Sequence, residues 1–181
     1  MIYLRENKTN MLETRDLILR KGSMEDWRDM YLNLWSHDES AKYMIWRPIH
    51  SEDAAKERMQ KNVDYMMRND FAWFIYEKLS GRTIGFAGME KTDDMIYKDT
   101  GIAIGPAFTG KGYGKQVLMA MMEEAFENLG AAKFVVSCRS SNEASKRLVR
   151  VCGFCETYSE SKTDPRTGEP YVLDYYEFTR K

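Results

Sequence analysis

Between Ile104 and Gln116 the chain reads IGPAFTGKGYGKQ. Counted from Gly105, the spacing is G-x-x-x-x-G-K, the opening of a nucleoside-triphosphate loop. It breaks at Gly112, where such a loop needs Ser or Thr to hold Mg²⁺. Glycine has no oxygen to offer, which disfavours nucleotide hydrolysis and a nucleotide-switch reading. An anion site without a built-in metal ligand remains. Gly110, Gly112 and Gly114 alternate just ahead of KQVLMAMMEEAFENLG, a helical pattern running to about Leu129 and stopped by Gly130. Glycines there allow a tight turn that aims free N–H groups at a ligand, and a helix N-terminus adds roughly half a positive charge. A glycine-rich turn leading into an ordinary helix accounts for the same letters, so the neighbouring segments must decide.

The segment just upstream favours a ligand. In TGIAIG, Ile102 and Ile104 share one face, and Gly101, Ala103 and Gly105 share the other, because side chains alternate across a strand. A row of small residues lets another chain or a ligand lie close to the backbone. Strand and loop together suit a long ligand with phosphate at one end and an extended, amide-bearing arm.

Bulk properties exclude other classes. The chain has 181 residues, enough for one domain with a core and short for two, with 43% hydrophobic and 30% charged residues. A formal net charge of −1 argues against a protein that coats nucleic acid. No apolar run approaches the ~20 residues of a membrane span. The start, MIYLRENKTNMLETRD, has neither an apolar signal core nor a small-residue cleavage site, which predicts a cytoplasmic protein. Cys152 and Cys155 form C-x-x-C, but His37 and His50 are the only histidines and no second pair completes a metal site. Together with Cys138 these cysteines are read as packing residues, and no metal is expected. Met119, Met121 and Met122 are likewise read as helix packing.

The elements that must position the loop follow from periodicity. ETRDLILRKG alternates as a strand. SMEDWRDMYLNLW, capped by Ser23, and HSEDAAKERMQKNVDYMMRND read as amphipathic helices. FAWFIYEK and RTIGFAGMEK form a hairpin about LSG, and IYKDTGIAIG adds a third consecutive strand. After the loop and its helix come AKFVVSCR, the helix NEASKRLVRVC ended by Gly153, and strands around FCETYSES and PYVLDYYEFTR. The predicted order is β-α-α-β-β-β-α-β-α-β-β in a single domain, residues 1–181 with a core of about 14–178.

DTGIAIGPAFTGKGYGKQ resembles the pyrophosphate motif of the GNAT superfamily of acetyl-CoA-dependent N-acetyltransferases, and NEASKRLVRVCGF resembles its Asn-then-Gly-Phe motif. TRDLILR with Asn142-x-x-Ser145 resembles the Rim branch, which acetylates ribosomal-protein N-termini. The resemblance spans about residues 14 to 178. It implies an α+β fold with a mixed, mostly antiparallel sheet of about seven strands and about four helices on both faces. It also implies acetyl-CoA as cofactor, bound through Ile102, Ala103, Ile104, Thr109, Gly110, Lys111, Gly112, Tyr113, Gly114, Lys115, Asn142 and Ser145. Thr109 stands where the family usually has Arg or Gln, and Val149 where many members have a proton-donating Tyr.

Acetyl transfer to an amine needs a neutral amine, a stabilised oxyanion and a proton for the thiolate. Asn142, Ser145 and Val149 share a helical face, and the Rim resemblance assigns the Ser the proton-donor role. Glu90, on a strand beside the cofactor strand, and Asp164, after the Gly-Phe motif, are the candidate bases, each with a solvated surface carboxylate as the alternative. Trp46 and Arg47 are candidates to frame the acceptor, with core packing the alternative for Trp46. The expected reaction is direct transfer of acetyl to a protein N-terminal α-amine or a small-molecule amine, by a monomer or homodimer. The alternative is a non-catalytic coenzyme A-binding sensor.

Overall fold

The computed structural model describes residues 11–180. Eight strands form one sheet: β1 (Leu12–Glu13), β2 (Leu17–Arg20), β3 (Ala72–Glu77), β4 (Thr83–Asp93), β5 (Ile96–Ile104), β6 (Lys133–Arg139), β7 (Cys155–Thr163) and β8 (Pro170–Thr179). The helices are α1 (Trp27–Met30), α2 (Asp38–Ala41), α3 (Glu52–Arg68), α4 (Tyr113–Glu123) and α5 (Glu143–Val151). The strand order is β1-β2-β3-β4-β5-β6-β8-β7, antiparallel throughout except for β5 with β6. The mixed α+β sheet and the element order agree with expectation, and the two-residue β1 and the single-turn α2 are additions. Neither is long enough to show a period in sequence.

The first predicted helix differs in detail. Ser23 caps it as expected, its backbone N–H donating to the Asp26 carboxylate at 2.8 Å. The segment then opens as a 3₁₀ turn, continues as α1 and widens into a π turn at Tyr31–Trp35. α3 starts at Ser51, whose hydroxyl accepts from the Ala54 amide, and buries Ala55, Met59 and Met66.

Each face of the sheet has its own core. On one, Val117, Leu118 and Met121 of α4 and Val149 of α5 pack against Trp73, Ile75, Phe134 and Tyr176. On the other, Met30, Trp35 and Met59 meet Phe74, Tyr76 and Ala103. Met121 and Met122 are buried as predicted, but Met119 is exposed on the outer side of α4. Cys138 and Cys152 are core residues, whereas Cys155 is exposed, because it opens an edge strand whose side chains are almost all in solvent. All three are free thiols, and no cluster of metal-binding side chains occurs among the described residues. No described helix is long and apolar enough to cross a membrane.

One irregularity sets up the site. The register of β4 with β5 shifts between Gly88 and Met89, so that Gly88 faces Gly101, Met89 faces Asp99, and Thr100 is the extra residue of a bulge. Gly101 has φ +124°, a conformation that residues with a Cβ avoid. The bulge bends β5, and its pairing with β6 ends there: the parallel ladder joins only Ile96–Lys98 to Lys133–Val135. Beyond it the two strands diverge into a wedge.

Candidate active site

The wedge is lined by backbone. The Gly105 amide donates to the Ile84 carbonyl at 2.8 Å, and register places Ile104 opposite Gly85 and Ile102 opposite Ala87. Bonded and non-bonded pairs alternate in an antiparallel ladder. The N–H and C=O groups of Ile102 and Ile104 therefore point away from β4 and into the wedge, whereas those of Ala103 pair with Phe86. Of the three predicted strand contacts, two present amides to a ligand arm, and Ala103 contributes only a small side chain.

At the wedge mouth the chain turns through a 3₁₀ turn, Pro106–Phe108, into the glycine loop. Gly110 and Gly112 have φ +77° and +79°, and Gly112 is the N-terminal cap of α4. Among the described residues, the amides from Gly110 to Lys115 donate to no backbone or side-chain acceptor, which leaves six N–H groups free at the positive end of α4. Two predicted side chains behave differently. The Thr109 hydroxyl gives its one proton to the Pro106 carbonyl at 2.8 Å, so it closes the turn and has none for a phosphate. The Lys111 ammonium lies 3.2 Å from Glu77, directed under the loop.

Glu77 is the fastening that sequence reading missed. It is buried at the end of β3 and accepts hydrogen bonds from Tyr113, at 2.7 Å, Ser80, at 2.7 Å, and Lys111. The Tyr113 bond, then that of Ser80, holds its carboxyl below the ordinary range despite burial, and the Tyr113 phenol is pushed up to about 12. On the other flank Gln116 accepts from Thr14 and donates to Asp16, which ties α4 to the β1–β2 turn. Arg15 and Lys115 border a surface groove beside Gly112 and Met119, two cations next to the anion loop.

Deeper in the wedge lies a second carboxylate with no sequence signature. Asp99, the last residue before the bulge, is buried and accepts from the Ser137 amide of β6 at 3.2 Å, bridging the strands where their ladder stops. Burial pushes its carboxyl up to about 7, and the Glu90 charge adds to the rise. Burial pushes the Cys138 thiol of β6 up, and a bond from Ser145 opposes that rise, which puts Ser145 beside the strand. Asn142 caps α5 as expected, its side chain accepting from the Ser145 amide at 3.2 Å. Val149 is in the core and brings no hydroxyl to the wedge.

The two candidate bases, Glu90 and Asp164, differ in their surroundings. Glu90 is exposed beyond the bulge, opposite Lys98. Asp164, at the start of the β7–β8 loop, is fully engaged: one oxygen accepts from the Arg166 amide, at 2.9 Å, and Nε, and the other from Arg139, at 2.6 Å, and Arg166 Nη2. Arg166, then Arg139, holds its carboxyl far below the usual carboxylate range, where it is a poor proton acceptor. Instead it forms a clasp. Arg166 also reaches the carbonyls of Ala41 and Trp46, and Arg47 donates to the Arg166 carbonyl at 2.9 Å, fastening the α2–α3 loop to the β7–β8 loop. Tyr43 adds a bond to the Ser141 carbonyl. Because Asp164 has a depressed folded-state value, its stabilisation is present above ~4, the unfolded carboxylate range, and is lost as pH falls below it. Asp164→Asn is expected to lower Tm by roughly 5–10 °C at pH 7, with the difference shrinking in acid. Thermal melts across pH test this.

A sheet split by a wedge, with a ring of free amides at a helix N-terminus beside it, has the shape and the donors that a long, phosphate-ended ligand requires. Comparison with known proteins agrees. A family model described as "Acetyltransferase (GNAT) domain" matches residues 16–155. An uncharacterised N-acetyltransferase of Bacillus subtilis, YnaD, is 21% identical over 165 residues, 91% of this chain and 94% of its own. Among solved structures, a GNAT-family acetyltransferase from Bacillus anthracis superposes with a TM-score of 0.79 at 18% identity, covering 93% of this chain and 98% of its own. A ribosomal-protein α-N-acetyltransferase, RimL, in complex with coenzyme A gives 0.75 at 18% identity, covering 93% and 97%. The chain belongs to the GNAT acetyltransferase family.

Proposed function

We propose that the protein transfers an acetyl group from acetyl-CoA directly to a primary amine, either a protein N-terminal α-amine or the amine of a small molecule. The wedge between β5 and β6, opening beside six free amides, supports this reading: a pantetheine arm would run along Ile102 and Ile104, with the pyrophosphate at Gly110–Lys115. The RimL neighbour, bound to coenzyme A, and a neighbour bound to acetyl-CoA and AMP support the cofactor.

In the reaction the amine nitrogen attacks the thioester carbonyl and a C–N bond forms. Asp99, the buried carboxylate nearest the strand divergence, accepts the proton that the nitrogen loses and returns it to solvent. As the C–S bond breaks, the Ser145 hydroxyl gives its proton to the sulfur and is reprotonated from solvent. Amide groups of β5 stabilise the oxyanion, a role worth ~3 kcal/mol per donor in other enzymes. Ser145→Ala should lower kcat by about 10- to 100-fold with acetyl-CoA affinity unchanged, because a thiolate leaves without full protonation. Steady-state kinetics test this, and an unchanged kcat removes Ser145 from the mechanism.

The alternative of a sensor rests on the missing Tyr at Val149. Incubation with acetyl-CoA and a mixed amine library, following thiol release, separates the two. Transfer predicts amine-dependent release, and a sensor predicts tight binding with no release.

A further inference from the structure

Beside the anion loop lies an open groove whose cations the proposed chemistry does not use. It measures about 370 Å³ and is lined by Arg15, Gly112, Lys115, Gln116 and Met119. Pockets of roughly 300–1,000 Å³ hold small organic ligands. Gly112 belongs to both features, so the groove opens directly off the free amides. Two cations from different elements border it. Arg15, in the β1–β2 turn, is held in place: its Nε and Nη2 donate to the Asp16 carboxylate at 3.0 and 2.8 Å, and Asp16 accepts from Gln116 of α4 at 2.7 Å. One edge of the guanidinium is thus taken by Asp16, and Nη1 is left for a ligand. Asp16 also offsets the charge of Arg15, so the uncompensated charge is that of Lys115, which has no ion pair and no side-chain hydrogen bond among the described residues. Met119, exposed on the outer side of α4, supplies an apolar wall. A free guanidinium edge, an unpaired ammonium and a thioether match a phosphate monoester attached to a flat ring system.

A diphosphate seated on Gly110–Lys115 brings the rest of its nucleotide with it. The ribose of coenzyme A carries a 3′-phosphate a few bonds from the 5′-diphosphate, which puts that group within reach of a groove that begins at Gly112. We infer that Arg15 and Lys115 bind the 3′-phosphate of coenzyme A in this groove, with the adenine against Met119, and so make the protein selective for coenzyme A over its dephospho form. This rests on the proposed cofactor reading and adds a specificity that the backbone amides, which meet only the diphosphate, do not provide.

Calorimetry with acetyl-CoA and acetyl-dephospho-CoA, which differ only in the 3′-phosphate, tests this without any acceptor. The wild type should bind acetyl-CoA about 10-fold or more tighter, the lower end for hydrogen bonds to charged groups. Arg15 and Lys115 are exposed, so Arg15→Met and Lys115→Met should leave the fold intact, which thermal melts check. Each single variant should lower the preference, and the two together should bring it to about 1, while affinity for the dephospho form falls far less. Equal binding of the two cofactors by the wild type, or a preference that survives both substitutions in a folded protein, would overturn the subsite and leave the loop standing as the diphosphate site. If neither cofactor binds, the acetyl-CoA reading fails and the subsite fails with it.

Discussion

Asp99→Asn is expected to lower kcat by about 100-fold while leaving acetyl-CoA affinity close to that of the wild type. That loss is the lower end of the range for a positioned general base, 10²- to 10⁴-fold. The Asn side chain can still accept from the Ser137 amide, which Asp99 bonds at 3.2 Å, so the strand junction is kept and only proton affinity is lost. The pH dependence separates this from damage to the fold. A base must be ionised to act, so wild-type activity should rise through about pH 7, where burial places Asp99, and the Asn variant should lack that limb. Stability should move the other way. A carboxyl raised in the folded state binds its proton more tightly there than in the unfolded chain, so the wild type loses stability as pH rises from ~4 toward 7. Asp99→Asn removes that slope, and its Tm should gain on the wild type over the same interval. An unchanged kcat and pH profile would show that Asp99 only bridges two strands.

Gly112→Asp is expected to abolish measurable acetyl-CoA binding in a protein that still folds. At φ +79° Gly112 is in the left-handed region, and a side chain there is strained by about 1 kcal/mol. No heavy atom lies within 4 Å of the added Cβ, so packing is undisturbed. The new carboxylate would stand among the free amides that are to receive pyrophosphate, satisfying them from within and repelling the ligand. Gly112→Ala carries the same backbone strain without the charge and should bind with a far smaller loss. Calorimetry on both variants decides. If the folded Asp variant binds as tightly as wild type, the loop is not the phosphate site.

Much of this architecture is legible in the letters, for identifiable reasons. α3, β3, β4 and the α4 turn announce themselves through strong periods, a Ser cap and positive-φ glycines, features set within a few residues of one another. The anion loop is of that kind, and so is the Asn142 cap. Asp99 and Glu77 are not. Each is a single carboxylate in a strand, and its importance comes from register: a bulge that leaves Asp99 at the strand divergence, and a hairpin that leaves Glu77 beneath Tyr113. Asp164 misleads in part for the same reason, since its partner Arg139 is 25 residues away in sequence, although its other partner, Arg166, is only two residues on, within the same turn. What distant pairing creates, local pattern does not display.

The most direct measurement is a single turnover of carbon-13-labelled acetyl-CoA with an amine acceptor, followed by mass spectrometry of acceptor and protein. Direct transfer in the wedge predicts one labelled N-acetyl product per thiol released and no label on the protein. Tight binding with no labelled product from any amine, or label held covalently on the protein as an intermediate, would contradict it.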